Sequence, residues 1–192
     1  MKRIFESREF RKYHVLSLTE SRSTILESYA NSFCTTVFLS HKHDDLEDLK
    51  DIIGFFQKEY GVKVYIDSRD PSMPLHTSSE TATNIKRRIR QCDKFILLAT
   101  NGAVESKWCN WELGFGDACK YKQHIAVFPI KPPGSFDYFY KGIEYISIYP
   151  HIVFSDGLDK YNDGYLKRGY YVRFVQNNVP SMIPLSDWFM KC

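Results

Sequence analysis

The sequence predicts an α/β fold in which a doubly wound parallel sheet of about five strands is covered by helices on both faces. The first observation behind this prediction is the alternation of short apolar runs with helical patterns from Thr35 onward, which is typical of such sheets. The second is the run KFILLAT (Lys94 to Thr100), whose nearly continuous apolarity is expected of a strand covered on both faces. The third is length, since 192 residues with 43% hydrophobic content can bury the core of one domain.

The first part of the sheet is predicted from the segments between Thr36 and Ile89. TVFLS (Thr36 to Ser40) forms the first strand, and the helix that follows ends at Gly61. Five apolar residues recur in that helix at helical spacing: Leu46, Leu49, Ile53, Phe56 and Tyr60. VKVYID (Val62 to Asp67) is the second strand. After a loop with two prolines, a second helix is expected around Ile85 and Ile89.

The second part of the sheet follows the same alternation. Lys94 to Thr100 is the third strand, and a helix begins near Ser106, whose hydroxyl can cap its first turn. HIAVFPI (His124 to Ile130) is predicted as the fourth strand and EYISIY (Glu144 to Tyr149) as the fifth.

Two flanking segments complete the predicted organisation. Residues 1–33 form an N-terminal helical extension around ESRSTILESYAN, residues 34–150 the main domain, and residues 151–192 a C-terminal extension packed on it. Within the last segment, YYVRFV is expected to form an edge strand and SDWF a final helical turn.

Composition argues against several classes of partner. The net charge is only +3 and no run of Lys and Arg exceeds KRR, which disfavours a nucleic-acid surface. The N-terminus is too charged for a signal peptide, and the longest apolar runs fall far short of the roughly 20 residues that span a bilayer. We therefore expect no membrane partner and a cytoplasmic location.

The five cysteines are odd in number and show no CxxC spacing. A disulfide framework or a metal site would show a different pattern. Buried thiols in a reducing compartment are the better interpretation.

One carboxylate stands out in the segment SKWCNWELG. With Ser106 as the cap, four residues fall within one stripe of the helix: Trp108, Glu112, Phe115 and Cys119. A charge on an apolar face is costly unless it is paired, hydrogen-bonded or directed at a cleft. Glu112 follows the third strand, at the sheet edge where ligands bind in such folds. From these residues alone, a structural ion pair and a catalytic role both stay open.

The chain resembles the TIR (Toll/interleukin-1 receptor) domain family over about Cys34 to Tyr149. The similarity rests on TVFLSH, VYID before a proline-bearing loop, IRQCDKFILLAT and ESKWCNWELG. It implies a flavodoxin-like doubly wound sheet with N- and C-terminal extensions. In TIR domains that cleave NAD+, the glutamate of the last motif is catalytic and the tryptophan four residues earlier lines the pocket. The resemblance therefore implies Glu112 as the catalytic residue and Trp108 as a substrate-binding residue.

Further substrate-binding candidates lie at the ends of the first and second strands and in the loops that follow. They are Ser40, His41, Lys42, His43, Asp67 and Arg69. Basic groups among them could contact the pyrophosphate, although the family often has arginine where this chain has His43. Asp67 could orient the loop that follows it, and Arg69 could bind a phosphate.

The implied function is an NAD+ glycohydrolase or cyclase, with NAD+ as the substrate and with neither a cofactor nor a metal. The chain is similar to bacterial stand-alone TIR proteins such as the TIR component of Thoeris anti-phage defence. That similarity implies self-association through TIR–TIR contacts and a separate effector protein that responds to a cyclic ADP-ribose isomer or an ADP-ribose conjugate.

Two alternatives compete with the enzyme hypothesis. A non-catalytic TIR adaptor, acting through TIR–TIR interaction alone, would share the fold. A response-regulator receiver is also doubly wound, and Asp44, Asp45 and Asp67 mimic its acidic residues. The order argues against a receiver, because its phosphoacceptor ends the third strand whereas Asp67 ends the second.

Overall fold

The computed structural model describes residues 1–16, 34–67, 78–135, 144–176 and 179–190. Its strands are β1 (Phe5–Glu6), β2 (Thr36–Ser40), β3 (Lys63–Tyr65), β4 (Lys94–Ala99), β5 (Ile125–Lys131), β6 (His151–Ser155), β7 (Lys160–Tyr161), β8 (Gly164–Tyr165), β9 (Gly169–Gln176) and β10 (Val179–Pro184). Its α-helices are α1 (Leu46–Tyr60), α2 (Ser79–Gln91), α3 (Asn101–Glu105), α4 (Lys107–Cys119) and α5 (Leu185–Met190). The α/β class predicted from the sequence is confirmed.

The main sheet has the order β10-β9-β6-β5-β4-β2-β3, and β1 pairs with β5 outside this path. Strands β2, β3, β4, β5 and β6 pair with one another in parallel. Strand β9 pairs antiparallel with both β6 and β10. From β2, the chain therefore adds β3 on one side and then β4, β5 and β6 on the other. The order reverses between β2 and β4, which is where doubly wound sheets bind their ligands.

Two apolar layers cover the sheet, one on each face. In the first, β2, β4 and β5 pack against α1 and α5 through residues that include Phe56, Phe128 and Trp188. In the second, the alternate residues of the same strands pack against α2, α3 and α4. Strand β4 contributes Ile96 and Leu98 to one layer and Phe95 and Leu97 to the other. Burial on both faces explains the unbroken apolar run in its sequence.

The predicted fifth strand, Glu144 to Tyr149, is wrong. Glu144–Ile148 is a 3-10 helix, and β6 at His151–Ser155 is the parallel neighbour of β5. Within EYISIY, Ile146 and Tyr149 are buried while Tyr145 and Ile148 are exposed. Burial that recurs every three residues fits the three-residue turn of a 3-10 helix and not the alternation of a strand.

The predicted strand YYVRFV exists as β9, but it is not at an edge. It lies between β6 and β10. The edge strand at this end of the sheet is β10, whose sequence contains Pro180 and Pro184. Edge strands tolerate proline because one side of the strand needs no hydrogen-bond donors, so the prolines concealed this strand in the sequence. The final turn at SDWF is confirmed within α5.

Residues 1–16 contain an element that the sequence did not predict, the short strand β1. Phe5 and Phe10 are buried in the first apolar layer, and Phe5 stacks on Phe128 at 4.9 Å. Phe5 pairs with Ile130 of β5, and Lys2 exchanges two backbone hydrogen bonds with Phe154 of β6. The segment thus lies between the diverging ends of β5 and β6. The predicted helix ESRSTILESYAN falls outside the described residues.

Candidate functional site

The site is built where β2 and β4 end side by side. Two short polar residues start helices after β4: Thr100 accepts a hydrogen bond from the backbone N–H of Ala103 at 3.0 Å, and Ser106 accepts one from Cys109 at 3.3 Å. These caps begin α3 and α4 and confirm Ser106 as the predicted cap.

Gly116 allows helix α4 to pack closely against the sheet. A Cβ at Gly116 would stand 3.1 Å from the ring of the buried Phe95 in β4, which is tighter than an ordinary van der Waals contact. The buried residues of α4 are Cys109, Glu112, Leu113 and Gly116. The helix therefore turns Glu112 toward the end of β2.

Glu112 is 1% exposed, and only one of its two carboxylate oxygens accepts a described hydrogen bond. The Ser40 hydroxyl donates to Oε2 at 2.5 Å, while Oε1 has no hydrogen-bond partner among the described residues. Burial raises the pKa of the Glu112 carboxyl well above its ordinary value, and the charge of Asp67 raises it further, against the opposing effect of Ser40 and Trp108. The pair Ser40–Glu112 joins β2 to α4 at the point where the strand order reverses.

His41 and Asp67 form the second group at this edge. His41 is 6% exposed, and its Nδ1 lies 3.8 Å from Asp67 Oδ1 and 3.3 Å from the carbonyl oxygen of Leu39. Burial lowers the pKa of His41, although the charge of Asp67 opposes this shift. A neutral imidazole beside Asp67 is thus favoured near pH 7. The charge of Asp67 acts on both His41 and Glu112, so Asp67 links the two groups electrostatically.

Trp108 lies one turn before Glu112, and its ring is half-buried. It stacks on Trp111 at 4.9 Å with 28° between the rings, and Trp111 stacks in turn on Phe115 at 6.2 Å. The predicted stripe is correct in burying Glu112 but wrong for Cys119, which is exposed. The buried face of the helix is rotated away from Cys119 and toward Gly116, because a glycine lets that side of the helix approach the sheet.

The family model described as "TIR domain" matches residues 37–165, more than half of the chain. The chain belongs to the TIR domain family. A curated protein from Cytobacillus dafuensis, named "Putative cyclic ADP-D-ribose synthase TIR2", is 32% identical to it over 82 residues. The match covers 41% of this chain and 21% of that relative, so the chain spans about a fifth of the relative's length.

Within this TIR domain, the other predicted contacts stand apart from Glu112 in the interactions they make. Lys42 pairs with Asp44 at 3.3 Å, and its side chain lies over Gly102, where a Cβ would stand 2.6 Å from Lys42 Cδ. His43 is exposed. Arg69 lies outside the described residues, as do Pro71 and Pro74 of the proline-bearing loop.

Sequence reasoning missed one polar link in the TIR domain. The Thr100 hydroxyl donates to Asp45 Oδ2 at 2.5 Å and so ties the loop after β2 to the start of α3. Burial raises the pKa of Asp45, and the Thr100 hydrogen bond opposes the shift. The available signal was positional, since Thr100 directly follows β4 and Asp45 ends the loop after β2, and the topology places these two strands side by side.

No helix in the described parts of the TIR domain is both long enough and apolar enough to cross a membrane.

Proposed function

We propose that this TIR domain cleaves the bond between nicotinamide and ribose in NAD+, with Glu112 as the catalytic carboxylate. The observation that carries the proposal is the buried carboxylate at the strand-order reversal, bonded by Ser40 through one oxygen and free of described partners at the other. An unsatisfied buried acceptor is costly, and such costs concentrate at functional sites. Membership of the family and the name of the Cytobacillus dafuensis relative support NAD+ as the substrate.

The chemistry suits a single carboxylate. Nicotinamide leaves NAD+ as a neutral molecule, so departure needs no general acid, and the ribose carbon left behind develops oxocarbenium character. A fixed negative charge next to that carbon stabilises the transition state more than the ground state. Ser40 holds Oε2, which leaves Oε1 to accept hydrogen bonds from ribose hydroxyls. Trp108 offers a flat ring beside the carboxylate on which a base can stack.

The raised pKa of Glu112 fits a site whose substrate is a cation. With only 1% of the residue exposed, a substrate reaches the carboxylate only after neighbouring side chains move. The nicotinamide ring of NAD+ is positively charged, and a cation in this buried place favours the ionised carboxylate. Substrate binding and ionisation of Glu112 thus support each other. We propose that TIR–TIR self-association provides the rearrangement that admits NAD+.

The product depends on which nucleophile attacks the ribose carbon once nicotinamide has left. Water gives ADP-ribose, whereas a nucleophile within the same molecule gives a cyclic ADP-ribose isomer. We propose that the product is such an isomer or an ADP-ribose conjugate, made in the cytoplasm as an anti-phage signal for a separate effector protein. The proposed Thoeris-type role rests on the motifs shared with that class of TIR proteins.

A non-catalytic adaptor is the second candidate. The observation that favours it is the near-complete burial of Glu112, since a docking module needs no access to this carboxylate. In that case the buried side chain would be a neutral, protonated acid hydrogen-bonded to Ser40.

The two candidates are separated by incubating NAD+ with the wild type, Glu112→Gln and Glu105→Gln. Glu105 is an exposed acid in α3, and its substitution makes the same chemical change outside the site. We expect nicotinamide release by the wild type and Glu105→Gln, and a loss of about a hundredfold or more in Glu112→Gln. Mass spectrometry identifies the product, and plain ADP-ribose alone would contradict the signalling role. Equal release by all three proteins, or none by the wild type at high concentration, would contradict the enzyme hypothesis.

A further inference from the structure

A cationic cleft of about 460 Å³ lies on β5, β6 and β9, away from the residues of the candidate site. Its charged and aromatic lining includes Arg3, Lys122, Tyr149, His151, Arg173 and Phe174. The fold brings these side chains together through strand register: His151 of β6 stands opposite Arg173 of β9. The backbone pairing of Lys2 with Phe154 sets Arg3 beside them.

The two arginines have no countercharge in the described structure. No Asp or Glu is among the described residues that line the cleft, and neither Arg3 nor Arg173 makes a described ion pair. Burial lowers the pKa of Arg173, and the nearby charge of Arg3 lowers it further. His151 has its pKa lowered to about 4 by burial, with Arg173 and Arg3 adding to the effect. Two like charges are therefore held close together in a hollow, an arrangement that a bound anion would stabilise.

An apolar cleft of about 260 Å³ adjoins the cationic one. Both are lined by Lys122, Ile148, Phe174 and Val175, and the second continues over Ile183 and Trp188. Ile148 and Val175 are 54% and 55% exposed, which is high for such apolar side chains. The two clefts therefore meet at these shared residues, with cationic side chains on one side of the junction and apolar side chains on the other.

We propose that the joined clefts bind a small phosphorylated molecule that carries a flat or apolar group, of about the size of a mononucleotide. Paired guanidinium groups match the geometry of phosphate oxygens. The combined space is within the range of small-ligand pockets, and the apolar end, where Ile148 and Val175 are exposed beside Phe174, suits a base. A concave site of this size favours a soluble small molecule over a macromolecular surface. The proposal does not depend on the activity assigned to Glu112.

Isothermal titration calorimetry with AMP, inorganic phosphate and adenosine tests this site in the full chain. The variants are Arg3→Gln and Arg173→Gln, and the matched control is Lys167→Gln, which removes one charge from an exposed residue outside both clefts. We expect AMP to bind more tightly than either fragment. Each arginine variant should weaken AMP binding about tenfold or more, and the lysine control should leave it within about twofold of the wild type.

Thermal melting provides a second measurement that separates binding from folding. Because each arginine substitution relieves repulsion between like charges, we expect an unchanged or higher Tm together with weaker AMP binding. The proposal is overturned if AMP binding survives both arginine substitutions, or if phosphate alone binds as tightly as AMP. It is equally overturned if the wild type sediments with phosphatidic acid vesicles and binds no AMP.

Discussion

At the scale of single residues, the position of Glu112 between Ser40 and Asp67 decides its chemistry. Ser40 favours the charged carboxylate, whereas burial and the charge of Asp67 favour the neutral acid, and the second pair of effects is larger. The side chain therefore binds a proton more tightly in the folded chain than in the unfolded chain. That difference links the stability of the protein to pH.

Glu112→Gln should stabilise the protein at high pH. Because the folded-state pKa lies above the unfolded value, the contribution of Glu112 to stability is fully present below the unfolded pKa of about 4.3 and is lost as pH rises through the raised value. Glutamine lacks this loss, which amounts to about 1.4 kcal/mol for each unit of pKa shift. Urea denaturation at a series of pH values should show a gap between variant and wild type that widens with pH. The exposed Glu105→Gln should show no such trend, and a constant gap for Glu112→Gln would contradict the assigned pKa direction.

Ser40→Ala removes the hydroxyl that supports the charged carboxylate. We expect the acid limb of the pH profile for nicotinamide release to move to higher pH, because the pKa of Glu112 rises further without this hydrogen bond. At neutral pH the rate should fall about tenfold, less than for the loss of the carboxylate itself. An acid limb that stays in place while the rate falls would mean that Ser40 acts only through packing.

The sequence was most informative about the positions of individual site residues. The helical spacing after Ser106 was enough to predict that Glu112 is buried. The position of Ser40 at the end of β2 was enough to predict that it lies at the same edge of the sheet. Which of two adjacent polar residues meets the carboxylate depends on the spacing between helix and sheet, which no local pattern contains. For the same reason Lys42 and Ser40, two residues apart, have different surroundings.

At the scale of elements, the distance between α4 and β4 controls the site. Gly116 permits the contact with Phe95, whereas Gly114 on the same helix has nothing within 4 Å of an added Cβ. The two glycines thus offer a matched pair that separates helix propensity from helix position.

Gly116→Leu should push α4 away from Phe95. We expect a loss of about 1–3 kcal/mol in the free energy of unfolding and a clear loss of nicotinamide release, because Glu112 moves away from Ser40. Gly114→Ala should instead add up to about 1 kcal/mol, since alanine favours the helix and meets open space. Equal effects of the two substitutions on activity would show that the position of α4 is unimportant for the site.

Elements were predicted well wherever periodicity and burial agreed. Strands β2 and β4 and helix α1 carry unambiguous patterns, and each lies where the sequence placed it. The segment Glu144 to Ile148 failed because its rings and aliphatic residues suit a strand locally, while packing of Ile146 and Tyr149 against the second apolar layer selects a 3-10 turn. Tertiary packing outweighed local preference there.

At the scale of the whole molecule, the terminal segments are continuous with the central sheet. Residues 1–16 add Phe5 and Phe10 to the first apolar layer, and β9, β10 and α5 add further residues to the same layer. Such long-range pairings leave little trace in a local pattern. Gly54 of α1 shows how closely the N-terminal segment packs, since a Cβ there would stand 1.9 Å from the carbonyl oxygen of Tyr13.

Gly54→Ala should loosen residues 10–16 from α1. We expect the free energy of unfolding to fall by about 1–3 kcal/mol and limited proteolysis to cut the N-terminal segment faster. Gly164→Ala is the control, because an added Cβ there has no neighbour within 4 Å. Similar cleavage rates in both variants would contradict the described packing of Tyr13.

The proposed function depends most on contact between the Glu112 carboxylate and the cationic end of NAD+. A ¹³C NMR titration of the side-chain carboxyl carbons tests it directly, with the Glu112 signal assigned by its absence from Glu112→Gln. The titration is done with and without an NAD+ analogue whose ribose ring oxygen is replaced by carbon, so that no cleavage occurs. We predict a pKa for Glu112 above the ordinary value of about 4.3 in the free protein and a lower pKa when the analogue is bound. A Glu112 pKa that does not change when the analogue saturates the protein would contradict the claim.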